Sequence, residues 1–146
     1  MKFKYRKLKR QQIRGTKDSK SFPRPIIPVK IINGSQELRV YALIDSGSDY
    51  CIFQGSLGQE IGLDIKNGRE EEIIGIKNQP IKIYFHNIEL GVGGYIFSCS
   101  AAFSSELNNL PLAILGQQGF FSKYIVTLDF QKERIELKER GKNTKK

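Results

Sequence analysis

The chain has 146 residues, enough for one domain with a proper core and too few for two. Its net charge of +9 first suggests nucleic acid or an anionic surface, but nine Lys/Arg and one Asp fall in residues 1–20, three Lys fall in 141–146, and the body between carries twelve basic and fourteen acidic residues. A near-neutral body with basic, solubilising ends argues against nucleic acid as a partner, and the two cysteines, Cys51 and Cys99, provide neither a disulfide framework nor metal-ligand spacing.

Lys2-Phe3-Lys4-Tyr5 alternates charge and aromatic and is expected to form a short edge strand. Lys7 to Ser21 is polar and basic and reads as a linker, so residues 1–20 form a basic N-terminal segment of edge strand plus linker. No long apolar run follows it, which argues against a secretory signal, and nothing reaches the length of a membrane-spanning helix. Isolated thiols in apolar runs then imply a reducing cytoplasm and no membrane partner. Pro23, Pro25 and Pro28 bracket Ile26, Ile27, Val29, Ile31 and Ile32, which predicts an edge or outer strand. Asn33-Gly34 is a hairpin signal, with Leu38 to Ile44 as the returning strand.

Further on, Cys51-Ile52-Phe53 reads as a short strand, and Ser56 to Leu63 as one or two helical turns ending at Gly62. Glu71 to Ile76 and Ile81 to Leu90 form a second hairpin about Lys77-Asn78-Gln79-Pro80, and Gly91 to Gly94 turn the chain into Tyr95 to Phe103. Ser104 to Asn109 is a polar loop, and Ile125 to Phe130 and Arg134 to Lys138 are two last strands. Many short strands separated by turn signals predict an all-β barrel or sandwich. Residues 21–140 make up the domain, and 141–146 a basic tail.

One stretch carries chemistry. The apolar run Val40 to Ile44 stops at Asp45 and is followed at once by Ser46-Gly47-Ser48-Asp49. Burying part of a lone carboxylate is costly, so such an acid is hydrogen-bonded, paired, or held for reaction. Taken alone, Asp-Ser-Gly more often describes a strand ending in an Asx- or ST-type turn. Much later, Ile114-Leu115-Gly116 ends another apolar strand. With the hairpin about Gly75-Ile76 between them, these segments resemble the retropepsin-like aspartic peptidases, the single-domain relatives of pepsin that include retroviral proteases. The resemblance runs from about Arg24 to Phe130 and implies a closed acid-protease-like β-barrel with a flap hairpin and one or two short helices.

It also implies roles for particular residues. Asp45 would be the catalytic acid, one per subunit of a homodimer, since the chain carries a single such motif. Two carboxylates sharing one proton can both deprotonate water and protonate a carbonyl, so no metal or cofactor is needed. Ser46 would bond across the dyad, Gly47 would bring its backbone to the shared water, and Ser48 would donate to the outer oxygen of Asp45, moving the pH window of activity toward acid. Gly75, Ile76 and Lys77 would form the flap over an extended peptide substrate. Ile114, Leu115 and Gly116 would pack beneath the catalytic loop, the last residue leading into a short helix. Arg24, in Arg24-Pro25, would reach Asp49 of the other subunit. Gln117 stands where retroviral proteases carry arginine and cannot supply that charge.

The lone histidine, His86, lies in an alternating strand without ligand neighbours. Ser48, His86 and Asp129 lack the context of a serine hydrolase, and Gly91-Val92-Gly93-Gly94 joins strands instead of opening a helix on phosphate. The reading is therefore an aspartic-type endopeptidase acting on peptide or protein. Its alternative is the same fold retained as a dimerising or peptide-binding module, and a third reading gives the basic ends a nucleic-acid role.

Overall fold

A computed structural model of the protein describes residues 1–9, 21–74 and 78–141. Within these residues the chain forms β1 (Lys2–Lys4), β2 (Arg6–Lys9), β3 (Ser21–Arg24), β4 (Ile26–Asn33), β5 (Gln36–Ile44), β6 (Ile52–Gln54), the helix α1 (Gly55–Glu60), β7 (Arg69–Ile74), β8 (Pro80–Val92), β9 (Tyr95–Ser104), β10 (Ala113–Leu115), β11 (Tyr124–Asp129) and β12 (Arg134–Glu139). Short 3-10 turns occupy Ile65–Asn67 and Ser105–Leu107. The protein is mostly β.

The principal sheet has the order β4-β5-β10-β6-β9-β8-β7, and β4 also pairs with β8. The ladder of pairings therefore leaves β4 and returns to it. β5 to β10 and β6 to β9 are parallel, and the remaining neighbours are antiparallel. Inside lie Ile27, Ile31, Phe53, Leu90, Phe103, Leu115 and Phe120, all with no exposed surface. A smaller cluster of Ile52, Ile83, Phe85 and Ala102 packs on the other face of β6 and β9.

Several expectations change. The proline-marked strand is not an edge: Ile26–Asn33 pairs with β5 along its whole length and with β8 from Val29 to Ile32. It tolerates Pro28 because the pairing with β8 begins one residue later, so the missing N–H deprives no neighbour. The segment read as a linker from Lys7 is partly strand, since Arg6–Lys9 pairs antiparallel with Ser21–Arg24. The turn placed at Gly91 to Gly94 is only two residues long. Gly91 still pairs within β8, and Gly93 and Gly94 alone hold positive φ, 57° and 91°, as a tight hairpin requires.

The segment after Gly116 forms turns and no helix among the described residues. Gly119 sits at φ 103°, outside helical backbone, and interrupts any continuous turn. Helix α1 does end as read, with Gly62 at φ 83° just beyond it. The hairpin of β7 and β8 is present, starting two residues earlier than expected, while its tip, Gly75, Ile76 and Lys77, lies outside the described residues.

The first residues belong to the fold. β1 is the edge strand of a second sheet, ordered β1-β12-β11. The Met1 ammonium donates to the Leu137 carbonyl at 2.7 Å, and Met1, Phe3 and Tyr5 pack on the main core. The alternation Lys2, Phe3, Lys4, Tyr5 places the aromatics inward and the lysines in water. No helix of the described residues is long and apolar enough to cross a membrane.

Candidate active site

β5 is an apolar strand whose last residue, Ile44, is buried, and the chain turns immediately beyond it. Asp45 stands at that turn, half-buried. Its main-chain N–H donates to the Leu115 carbonyl at 3.0 Å, and its own carbonyl accepts from Ser48 N at 3.2 Å. Its carboxylate oxygen Oδ1 accepts from the Gly47 N–H at 2.9 Å. This is an Asx-type turn, so the local reading and the chemical reading of Asp45 describe one geometry. A bond from a backbone N–H orients the carboxylate and leaves Oδ2 free for other partners.

The two motifs come together as one unit. Ala113, Ile114 and Leu115 run parallel to Ala42, Leu43 and Ile44 in register. Beyond them, Gln117 N donates to Ser48 O and Gln118 N to Asp49 O, both at 2.8 Å. Gly116 lies against the back of the Asp45 loop: a β-carbon there would collide with the Tyr50 carbonyl and come within 2.7 Å of the Ser48 carbonyl. Only glycine allows so close a backbone approach.

Two side chains depart from expectation. The Ser48 hydroxyl donates to the Tyr50 carbonyl at 2.9 Å, so its one proton serves the turn and not the outer oxygen of Asp45. The neutral Gln117 has a structural partner: its side-chain amide Nε2 donates to the Ser46 carbonyl at 2.7 Å. Its position directly after Gly116 was the available signal, but only the fold reveals the acceptor. Ser46 and Gly47 are exposed at the outer side of the loop. Arg24 and Asp49 are exposed as well, and no ion pair joins them among the described residues of the single chain.

Beneath the loop, Cys51 and Cys99 are buried free thiols. Their mutual hydrogen bond, reinforced by burial, pushes the Cys51 thiol up; accepting that bond draws the Cys99 thiol down. Gly119 packs between them, and a β-carbon there would lie 2.7 Å from Cys99 Sγ and 3.0 Å from Cys51 Sγ. His86 bonds through Nε2 to the Ile65 carbonyl at 2.9 Å, and Asp129 Oδ1 accepts from Lys132 N at 2.9 Å, so each has a structural partner. No three His, Cys, Asp or Glu side chains converge as a metal site among the described residues.

Successive strand side chains point to opposite faces, so Leu43, two residues before Asp45, lies on the face opposite the buried Ile44. Ile114, in register with Leu43, extends that face. Next to it lies an open groove of about 510 Å³, whose lining includes Leu43, Ile114, Leu112 and Arg24.

No protein-family model and no curated protein matches the sequence. Among solved structures, an EIAV protease complexed with the inhibitor HBY-793 is similar to this chain at 18% sequence identity. The match covers 64% of this chain and 82% of that one, with a TM-score of 0.49.

Proposed function

We propose that the protein is a homodimeric aspartic endopeptidase with an acid-protease-like barrel, closed through the β4–β8 pairing. One observation carries the reading. A carboxylate at the end of an apolar strand is held by its own loop, and that loop is fastened from behind by the Gly116 segment through four hydrogen bonds: Asp45 N to Leu115 O, Gln117 N to Ser48 O, Gln118 N to Asp49 O and Gln117 Nε2 to Ser46 O. A surface Asx turn needs no such backing, whereas a reacting carboxylate gains from being preorganised.

In this reading Asp45 of each subunit meets its counterpart across a twofold axis. Charges so close cannot both ionise, so the pair holds one proton. The ionised carboxylate takes a proton from water as the water oxygen bonds to the scissile carbonyl carbon, and the protonated one gives its proton to the carbonyl oxygen. Collapse of the resulting diol then breaks the C–N bond: the newly ionised carboxylate takes a hydroxyl proton as the carbonyl re-forms, and the other carboxyl gives its proton to the departing nitrogen. The groove beside Leu43 and Ile114 suits an apolar side chain of the extended peptide, and the β7–β8 hairpin would supply the flap through Gly75, Ile76 and Lys77. Arg24 would pair with Asp49 of the partner subunit.

The dimer reading draws support from β11. Among the described residues it pairs with β12 alone, and Ile125, Leu128 and Phe130 are 46%, 44% and 65% exposed along or just past it. An apolar strand with a free edge is a template for pairing with another chain.

Asp45→Asn tests the whole reading. Against a mixed peptide library from acidic to neutral pH, the variant should lose at least about a hundredfold in kcat/KM, the low end of what general acid–base catalysis contributes. It should keep its fold, because the amide is nearly isosteric. Equal cleavage by both proteins ends the proposal, and peptide binding without cleavage by the native protein assigns the fold to a binding module.

A further inference from the structure

We propose that the N-terminal hairpin, β2 with β3, forms the outer wall of the groove lined by Leu43 and Ile114, and that Phe22 and Leu8 on it set the size of the apolar side chain accepted there. The inference rests on the peptidase reading for the identity of the occupant, an extended peptide, and on its own geometry for the wall.

Leu8 and Phe22 are directly opposite each other in the β2–β3 register, so their side chains stand side by side on one face. Both line the same groove as Leu43, Leu112 and Ile114. The groove thus has a floor that includes Leu43, two residues before Asp45, and an apolar wall from a separate element.

The wall is tied to the active strand through the backbone. β3 runs into β4 by way of Pro25, whose carbonyl accepts from Ile44 N at 2.9 Å, one residue before Asp45. At the same end of the hairpin, on the β2 side, the Arg6 guanidinium lies 4.2 Å from the centroid of the Tyr41 ring, on β5. Arg6 and Arg24 are opposite each other in register, a like-charge pair that works against the hairpin, so these anchors matter to it.

The space between wall and floor is unfilled. Protein cores are packed to crystal density, yet about 510 Å³ stays open here and Phe22 remains 49% exposed. An aromatic ring carries a large apolar area that is stabilising only when covered. Of the described lining residues Arg24 carries the charge and the others are apolar, a surface that fits an uncharged bulky side chain of a peptide. A wall that is moved back by truncating Phe22 should admit larger groups, because pockets discriminate apolar side chains by steric fit.

The test compares kcat/KM for two peptides that differ only beside the cleaved bond, one with alanine and one with naphthylalanine. In Phe22→Ala the naphthylalanine-to-alanine ratio should rise about tenfold or more, the lower range of discrimination between apolar groups. Leu8→Ala should move it the same way, and Phe22→Leu should fall between. Ratios unchanged in both alanine variants, with native circular dichroism spectra, overturn the wall. The same peptides, fluorescently labelled and read by anisotropy on Asp45→Asn, separate this inference from the peptidase reading. A Phe22-dependent size preference in binding without any cleavage by the native protein keeps the wall and removes the peptidase. No difference in binding between native and Phe22→Ala hairpins removes the wall and leaves the peptidase to the Asp45 experiment.

Discussion

The side-chain amide of Gln117 donates to the main-chain carbonyl of Ser46 across 2.7 Å, linking the residue after Gly116 to the residue after Asp45. Gln117→Ala removes the bond at an exposed site and should cost about 0.5–1.5 kcal/mol in urea unfolding. Gln117→Glu should cost more, because it replaces the donor by an acceptor that faces another acceptor. If Asp45 is catalytic, both variants should also lower kcat/KM through a looser loop. A Glu variant as stable as the native protein would mean that this amide does not hold the loop.

Ser48→Ala should lower stability by about 1 kcal/mol, since the Tyr50 carbonyl loses its hydroxyl donor in a part-buried turn. The flanks of a kcat/KM–pH profile should stay where they are, with only the height reduced. Flanks displaced toward neutral pH would show that the hydroxyl reaches the carboxylate of Asp45 in the working dimer, as the residue pattern alone suggests.

Leu128 lies on β11, which pairs with β12 alone among the described residues, and is 44% exposed. Leu128→Lys puts a charge on that edge and should raise the dimer dissociation constant at least about tenfold, roughly 1.4 kcal/mol. Sedimentation would measure the shift if the protein is the proposed homodimer, and activity per subunit should then fall on dilution more steeply than for the native chain. An unaltered monomer–dimer equilibrium assigns the interface to another surface.

Tyr124 is buried, and burial, with smaller contributions from the Glu139 carboxylate and from Tyr95, raises its phenol above the ordinary value of 10.0. In alkali the unfolded chain releases this proton before the folded one does. The stability associated with neutral, buried Tyr124 is therefore complete below about pH 10 and is lost as pH rises through the folded-state value. Melting temperatures across this range should fall for the native protein, and less steeply for Tyr124→Phe. Parallel slopes for the two proteins would place the alkaline sensitivity elsewhere, with Tyr5, also raised chiefly by burial, as the next residue to replace.

Much of this molecule is legible in its residues taken in order. Period-two alternation marks β1 and β8, Asn33-Gly34 marks the β4–β5 turn, and Gly62 marks the end of α1, because each signal is local: a side-chain period, or a φ that favours glycine. The strand that ends in Asp45-Ser46-Gly47 is equally visible, as is the second strand that ends at Gly116. Tertiary structure alone decided what these segments do to one another. Pro28 marks an outer strand by its missing donor, yet β4 is paired on both sides because β8 meets it one residue further on. Ser48 has one proton, and whether it goes to Asp45 or to the Tyr50 carbonyl depends on the path of a loop packed against Gly116. The basic N-terminal segment carries no sign of its partners, β12 and the β3 strand, which lie far along the chain or beyond a long polar stretch. Composition and spacing report what a residue can do; which neighbour it does it to is set by contacts between distant segments, and those exist only once the strands have paired.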